Sequence, residues 1–204
     1  MLNSKTPSRL SSVELAAIPL ILSEFHGEVE STYQVFKLKM SVDGQELTSP
    51  EASTLCLDGV EMWLSQRYNR AAEILTCSCG VLECAGFQEQ CSTIRKKQVL
   101  SWTFPEGYFH FFKARGLATG RSRALTFHFD AVSFNEQIEQ VFGAVRAYEA
   151  ESGKPSGFEA GSYTAPRYGI DTQLQYAHAH HLRTSKSQRF RRFQGTPSGV
   201  CAGS

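Results

Sequence analysis

The chain has 204 residues, 41% of them hydrophobic, including 14 phenylalanines, and a net charge of +1. That length suits one medium domain with an appendage, built around an ordinary core. The longest apolar run, Leu15 to Leu22, is far shorter than the roughly 20 residues of a spanning helix and contains Pro19, so membrane insertion is not expected. No stretch has the uninterrupted apolar centre of a signal peptide, which points to the cytosol.

Charge is unevenly placed. Residues 1–153 carry 14 Lys/Arg against 18 Asp/Glu, and residues 154–204 carry 7 against 2. The pattern is an acidic body with a basic C-terminal segment.

Residues 1–14 are polar and expected to be flexible. "AIPLIL" (17–22) can enter a strand. In "YQVFKLKMSVDGQEL" (33–47), Phe36, Leu38, Met40 and Val42 alternate with Lys37, Lys39 and Ser41, the period of a strand with one buried face. Asp43-Gly44 then supplies the positive φ angles of a tight hairpin. Ser49 and Pro50 look like a helix start, and Leu57, Val60, Leu64 and Tyr68 form a stripe, so a helix is expected over about 50–69. Gly59 weakens it.

"AEILTC" (72–77), "VLSWTF" (99–104) and "ALTFHF" (124–129) read as strands. "EGYFHFFK" (106–113), aromatic on both faces, reads as a covered strand. The strongest helix runs from Ser133, with Glu136 completing a capping box, to Gly153 and Pro155. Its stripe is Phe134, Ile138, Val141, Val145 and Tyr148. After Pro155 the periodicity collapses, and 156–204 is expected to be a mostly disordered basic tail. Residues 170–183 have some helical character. The fold class is therefore α+β: a mostly antiparallel sheet with two main helices over 15–155 and a disordered tail.

"TCSCGVLECAG" (76–86) places three of six cysteines within eight positions. In an extended strand Cys77 and Cys79 project to one face, and Gly80 allows a turn that returns Cys84 toward them. With Cys91 this makes a candidate four-thiolate set for a structural zinc, and His110 or His128 are alternative fourth ligands. Two other readings fit the same residues: thiols packed around a tight turn, or a redox pair or catalytic thiol. In a cytosolic chain free thiols or ligands are expected rather than disulfides. Cys56 and Cys201 look incidental.

The run with Cys77, Cys79, Gly80 and Cys84, then Trp102, then Phe127, Phe129, Asp130 and Phe134, resembles a group of small bacterial proteins of unknown function. The resemblance covers about 33–150. This chain has Ala85 where the group often has an aromatic residue. Some members look like accessory proteins of toxin or contact-competition loci, which implies a protein partner.

The tail adds two candidates. "HAHH" (178–181) offers imidazoles to a metal. Arg183, Lys186, Arg189, Arg191 and Arg192, interleaved with Phe190 and Phe193, suit phosphates and bases. The phosphate-cradling, dinucleotide, zincin and serine-hydrolase motifs are not found. The leading expectation is a non-enzymatic binding protein, an immunity- or antitoxin-like partner of a toxin whose acidic body masks a basic cleft. A nucleic-acid-binding regulator using the tail is the alternative, and a cysteine- or metal-dependent enzyme the third.

Overall fold

The computed structural model describes residues 9–26, 29–48, 55–77, 82–160 and 166–193. Its elements are α+β, as the periodicities indicate, with antiparallel sheets and four α-helices among the described residues.

Two 14-residue strands, β1 (Val13–His26) and β2 (Val29–Val42), form a long antiparallel ribbon. The short β3 (Gln45–Glu46) returns along β2 through Asp43 and Gly44, at φ 50° and 76°. Both central residues have positive φ, as this hairpin turn requires. Val42, Met40, Leu38 and Phe36 enter the core, as their alternation predicts. Lys37 is buried as well, which alternation alone does not foresee.

A two-stranded sheet joins β4 (Leu55–Leu57) to β6 (Leu75–Cys77). A four-stranded sheet runs in the order β5 (Ala71–Ala72), β7 (Cys91–Lys96), β8 (Val99–Phe104) and β9 (Leu125–Asp130). Register pairs Leu100 with Phe129, Trp102 with Phe127 and Phe104 with Leu125, so the large side chains share one face. Trp102 meets the rings of Phe104, Phe129 and Phe134 edge-on at 5.1–6.1 Å. Such edge-to-face contacts add to the area buried.

Four expectations are corrected. The first helix is α1 (Gly59–Tyr68), and 55–57 is a strand; Ser49 and Pro50 lie outside the described residues. "EGYFHFFK" is not a strand but a 3-10 turn followed by α2 (Phe109–Ala114). Tyr108, Phe109 and Phe112 are buried while His110 is exposed, an i, i+1, i+4 spacing that only a helix brings to one side. The long helix α3 (Ala131–Ser152) starts two residues before Ser133. Asp130 caps it, accepting from the backbone N–H of Val132 and Ser133 at 3.1 and 2.8 Å. Gly153 ends it at φ 66°, as expected.

The fourth concerns the segment after Pro155. Phe36 N–H donates to Gly157 O and Glu159 N–H to Phe36 O, so 157–159 lie alongside β2. Helix α4 (Ile170–Phe193) follows, with Ile170 and Leu174 in the core. Glu149 of α3 receives the N–H groups of both Ser156 and Ile170 at 2.8 and 2.9 Å. Few aliphatic residues suffice here because the anchors are one phenylalanine, one carboxylate and the start of a helix. Among the described residues no helix is long and apolar enough to cross a membrane.

Candidate partner-binding site

Helix α1 begins where β4 ends. Asp58 N–H donates to Ile74 O, and the Asp58 carboxylate accepts from Glu61 N–H at 2.9 Å, capping the helix. Gly59 follows because Phe158 lies against the helix start. A Cβ at Gly59 would stand 2.6 Å from the Phe158 ring. Gly59→Ala is therefore expected to cost about 1–3 kcal/mol through overpacking. A lowered urea midpoint would show it, and an unchanged midpoint would mean that the ring shifts freely.

Glu61 sits at the third helical position. In a capping box its side chain would turn back to the cap residue. Here both its oxygens instead take Arg70 Nη2 at 2.5 Å. Arg70 lies just past the end of α1, where Asn69 turns the chain at φ 49°. Glu73 follows β5 and accepts from Gln90 Nε2 at 3.0 Å. Asp58, Glu61, Arg70, Glu73 and Gln90 line a hollow of about 310 Å³. It presents three carboxyl groups and one guanidinium, and that guanidinium is already engaged by Glu61. Burial, aided by the charge of Glu61, pushes the Asp58 carboxyl up to about 7 against the pull of its backbone donors and Arg70.

Across the Glu61–Arg70 pair lies a second hollow, about 490 Å³, lined also by Leu64, Tyr176, Ala177, His180 and His181. Helix α4 bridges here to α1. The Tyr68 hydroxyl lies 2.9 Å from His178 Nδ1, and the His181 ring stacks on Tyr68 with centroids 4.2 Å apart. Burial and the nearby Arg70 hold His181 below the ordinary imidazole range. A third hollow of about 590 Å³ lies among α1, α3 and α4. Arg67 stacks over Trp63 at 4.3 Å on one wall, and Arg146 pairs with Asp171 at 2.8 Å on another.

The described candidate zinc ligands differ in their surroundings. Cys77 ends β6, buried and disulfide-bonded, against the expectation of free thiols. Cys79 lies outside the described residues, as does Cys201. Cys84 is a free, exposed thiol in the 3-10 turn Glu83–Ala85. Cys91 opens β7 pointing into the core, and burial pushes its thiol far up, away from thiolate. His110 is exposed on α2, and His128 on β9 pairs with the Ser101 hydroxyl at 2.9 Å. Among the described residues, no three His, Cys, Asp or Glu side chains gather into a metal-holding group.

The candidate nucleic-acid residues fall on α4. Arg183 is exposed and its Nε donates to Ala179 O at 3.3 Å. Lys186, Arg189, Arg191 and Arg192 follow on the same helical backbone.

Sequence reasoning missed Asp58, Glu61, Arg70, Glu73 and Gln90. The Asp58-x-x-Glu61 spacing is a legible helix-start signal. Nothing local announces that Arg70 and Glu73 return to it. Comparison with protein-family models, with curated proteins and with solved structures returns no match.

Proposed function

We propose that the chain is a binding protein that receives a basic segment of a protein partner in the acidic hollow at the start of α1. The carrying observation is the imbalance of that hollow: Asp58, Glu61 and Glu73 face a single guanidinium, itself paired. A lysine or arginine side chain entering there meets Glu73 and Asp58, and its charge favours loss of the Asp58 proton. The acidic balance of residues 1–153 supports the same reading, since complementary charge speeds encounter with a basic surface. An immunity- or antitoxin-like role, masking a basic cleft of a toxin, is the form of this reading that the sequence resemblance favours. Zinc binding at the cysteine run is not needed for it.

The expected result is salt-sensitive binding of an arginine-rich peptide, measured by fluorescence anisotropy. Glu73→Lys should weaken it at least tenfold while leaving the circular dichroism spectrum unchanged. Equal binding by parent and variant would exclude this hollow. Size exclusion and pull-down from the native host then ask for a stable partner, and recovery of none would count against the reading.

One observation favours a second reading. The segment 183–193 carries five basic residues and no acid on a continuous helix. Nucleic acid held there would bind with a steep salt dependence, lost when Arg189, Arg191 and Arg192 are replaced by alanine.

A further inference from the structure

The acidic hollow at the start of α1 and the hollow of about 490 Å³ beside α4 have a wall in common: Glu61 and Arg70 line both. Their chemistry differs. The first presents carboxyl groups. The second is closed, apart from the shared pair, by Leu64 of α1 and by Tyr176, Ala177, His180 and His181 of α4. Three of these side chains are rings, and Tyr176 is 60% exposed. His181 is held below the ordinary imidazole range, so its ring is uncharged at neutral pH.

Arg70 decides what suits this second hollow. Its Nη2 donates to both oxygens of Glu61, and its Nη1 to Ala71 O at 3.4 Å. Guanidinium N–H groups lie in the plane of the group, so these bonds occupy its edge and leave its faces. A guanidinium face takes an aromatic ring, through cation–π attraction and stacking. The chain uses arginine in this way elsewhere, with Arg67 over Trp63 at 4.3 Å and Arg115 over Phe111 at 3.8 Å. No described ring lies over Arg70. A cation entering here would meet Arg70, and an anion would meet Glu61. An aliphatic side chain would fill the space and leave the guanidinium unused.

We propose that the partner segment that sets a basic side chain in the acidic hollow sets an aromatic side chain in this second hollow, against Arg70, two positions away in its sequence. The inference rests on the binding reading above and names the kind of segment bound. In an extended segment, side chains two positions apart leave the same face about 7 Å apart. Such a segment straddles the Glu61–Arg70 wall, with its cation on one side and its ring on the other.

Fluorescence anisotropy on the full chain tests this with labelled arginine-rich peptides. Three differ only two positions after a central arginine, where they carry serine, phenylalanine or cyclohexylalanine; a second set carries the same change two positions before it. In one of the two sets, phenylalanine should bind about fivefold tighter than serine, and cyclohexylalanine, as large but without π electrons, should fall short of it. Tyr176→Ala removes an exposed ring of the wall. It should take away most of the phenylalanine gain and leave the serine peptide and the circular dichroism spectrum unchanged. Glu73→Lys should instead weaken every peptide, and a failure there would count against the acidic hollow itself. If Glu73→Lys weakens binding as expected, the inference is overturned by phenylalanine peptides that bind no tighter than serine in both sets, by an equal gain from cyclohexylalanine, or by a gain that Tyr176→Ala leaves intact.

Discussion

Replacing Lys37 by methionine is expected to lower the unfolding free energy by about 3–5 kcal/mol, because it leaves a buried carboxylate without its countercharge. Lys37 lies on β2 with its side chain 7% exposed, and its Nζ stands 3.6 Å from Glu159 Oε2, on a side chain 17% exposed. The Cys56 thiol shares the site, pushed up to about 12 by burial and then by Glu159. It therefore stays neutral and cannot stand in for the lysine. The pair also fastens the segment after Pro155 to β2, where Phe36 and residues 157–159 exchange backbone bonds. Glu159→Gln added to Lys37→Met removes the stranded charge and should recover most of the loss. Urea unfolding of the four chains in the cycle measures this. A cost below about 1 kcal/mol for the single variant would place the pair in the range of solvent-exposed ion pairs instead.

Asp58→Asn should remove a pH dependence of similar size. Asp58 has its carboxyl raised from 3.8 to about 7 in the folded chain. Between those values the folded protein keeps a proton that the unfolded chain releases. Stability from this group is fully present below the ordinary carboxylate range and is lost as pH rises through about 7. Asparagine caps a helix as well as aspartate and does not titrate. At pH 4 the two proteins should be similarly stable, and above pH 7 the variant should be more stable by about 2–4 kcal/mol. Unfolding free energies measured across this range give the difference directly, free of the other carboxylates. A constant difference between the two proteins would mean that Asp58 ionises normally. The same proton bears on binding, since a partner cation in the hollow favours the ionised form. Affinity for a basic peptide should therefore rise with pH through the same window in the parent and not in the variant.

Much of the fold is legible because its signals are local. Alternation over 36–42 and 99–104 names the buried face of a strand wherever one face is covered. Asp43-Gly44 and Gly153 mark two of the places where the backbone takes positive φ. The Ser133 and Glu136 spacing sets the helix cap three residues later than Asp130, which caps it in the structure. The run Tyr108 to Phe112 is so rich in aromatic residues that it reads as a covered strand, yet only Tyr108, Phe109 and Phe112 are buried, at a helical spacing, and it folds as a helix with one buried side.

The sequence by itself determined the α+β class, most strands, the hairpin, the long helix and the division into acidic and basic parts. These depend on neighbours within a few residues, which hydrophobic period and backbone sterics report directly. Only the tertiary structure decided that Lys37 is buried, that Gly59 makes room for Phe158, and that 156–159 and α4 join the core. It alone put Cys91 in the core and Cys84 at the surface and gathered Asp58, Glu61, Arg70, Glu73 and Gln90 around one hollow. These arrangements join residues far apart in the chain. Their energies come from burial and charge pairing across elements, which a local pattern does not record.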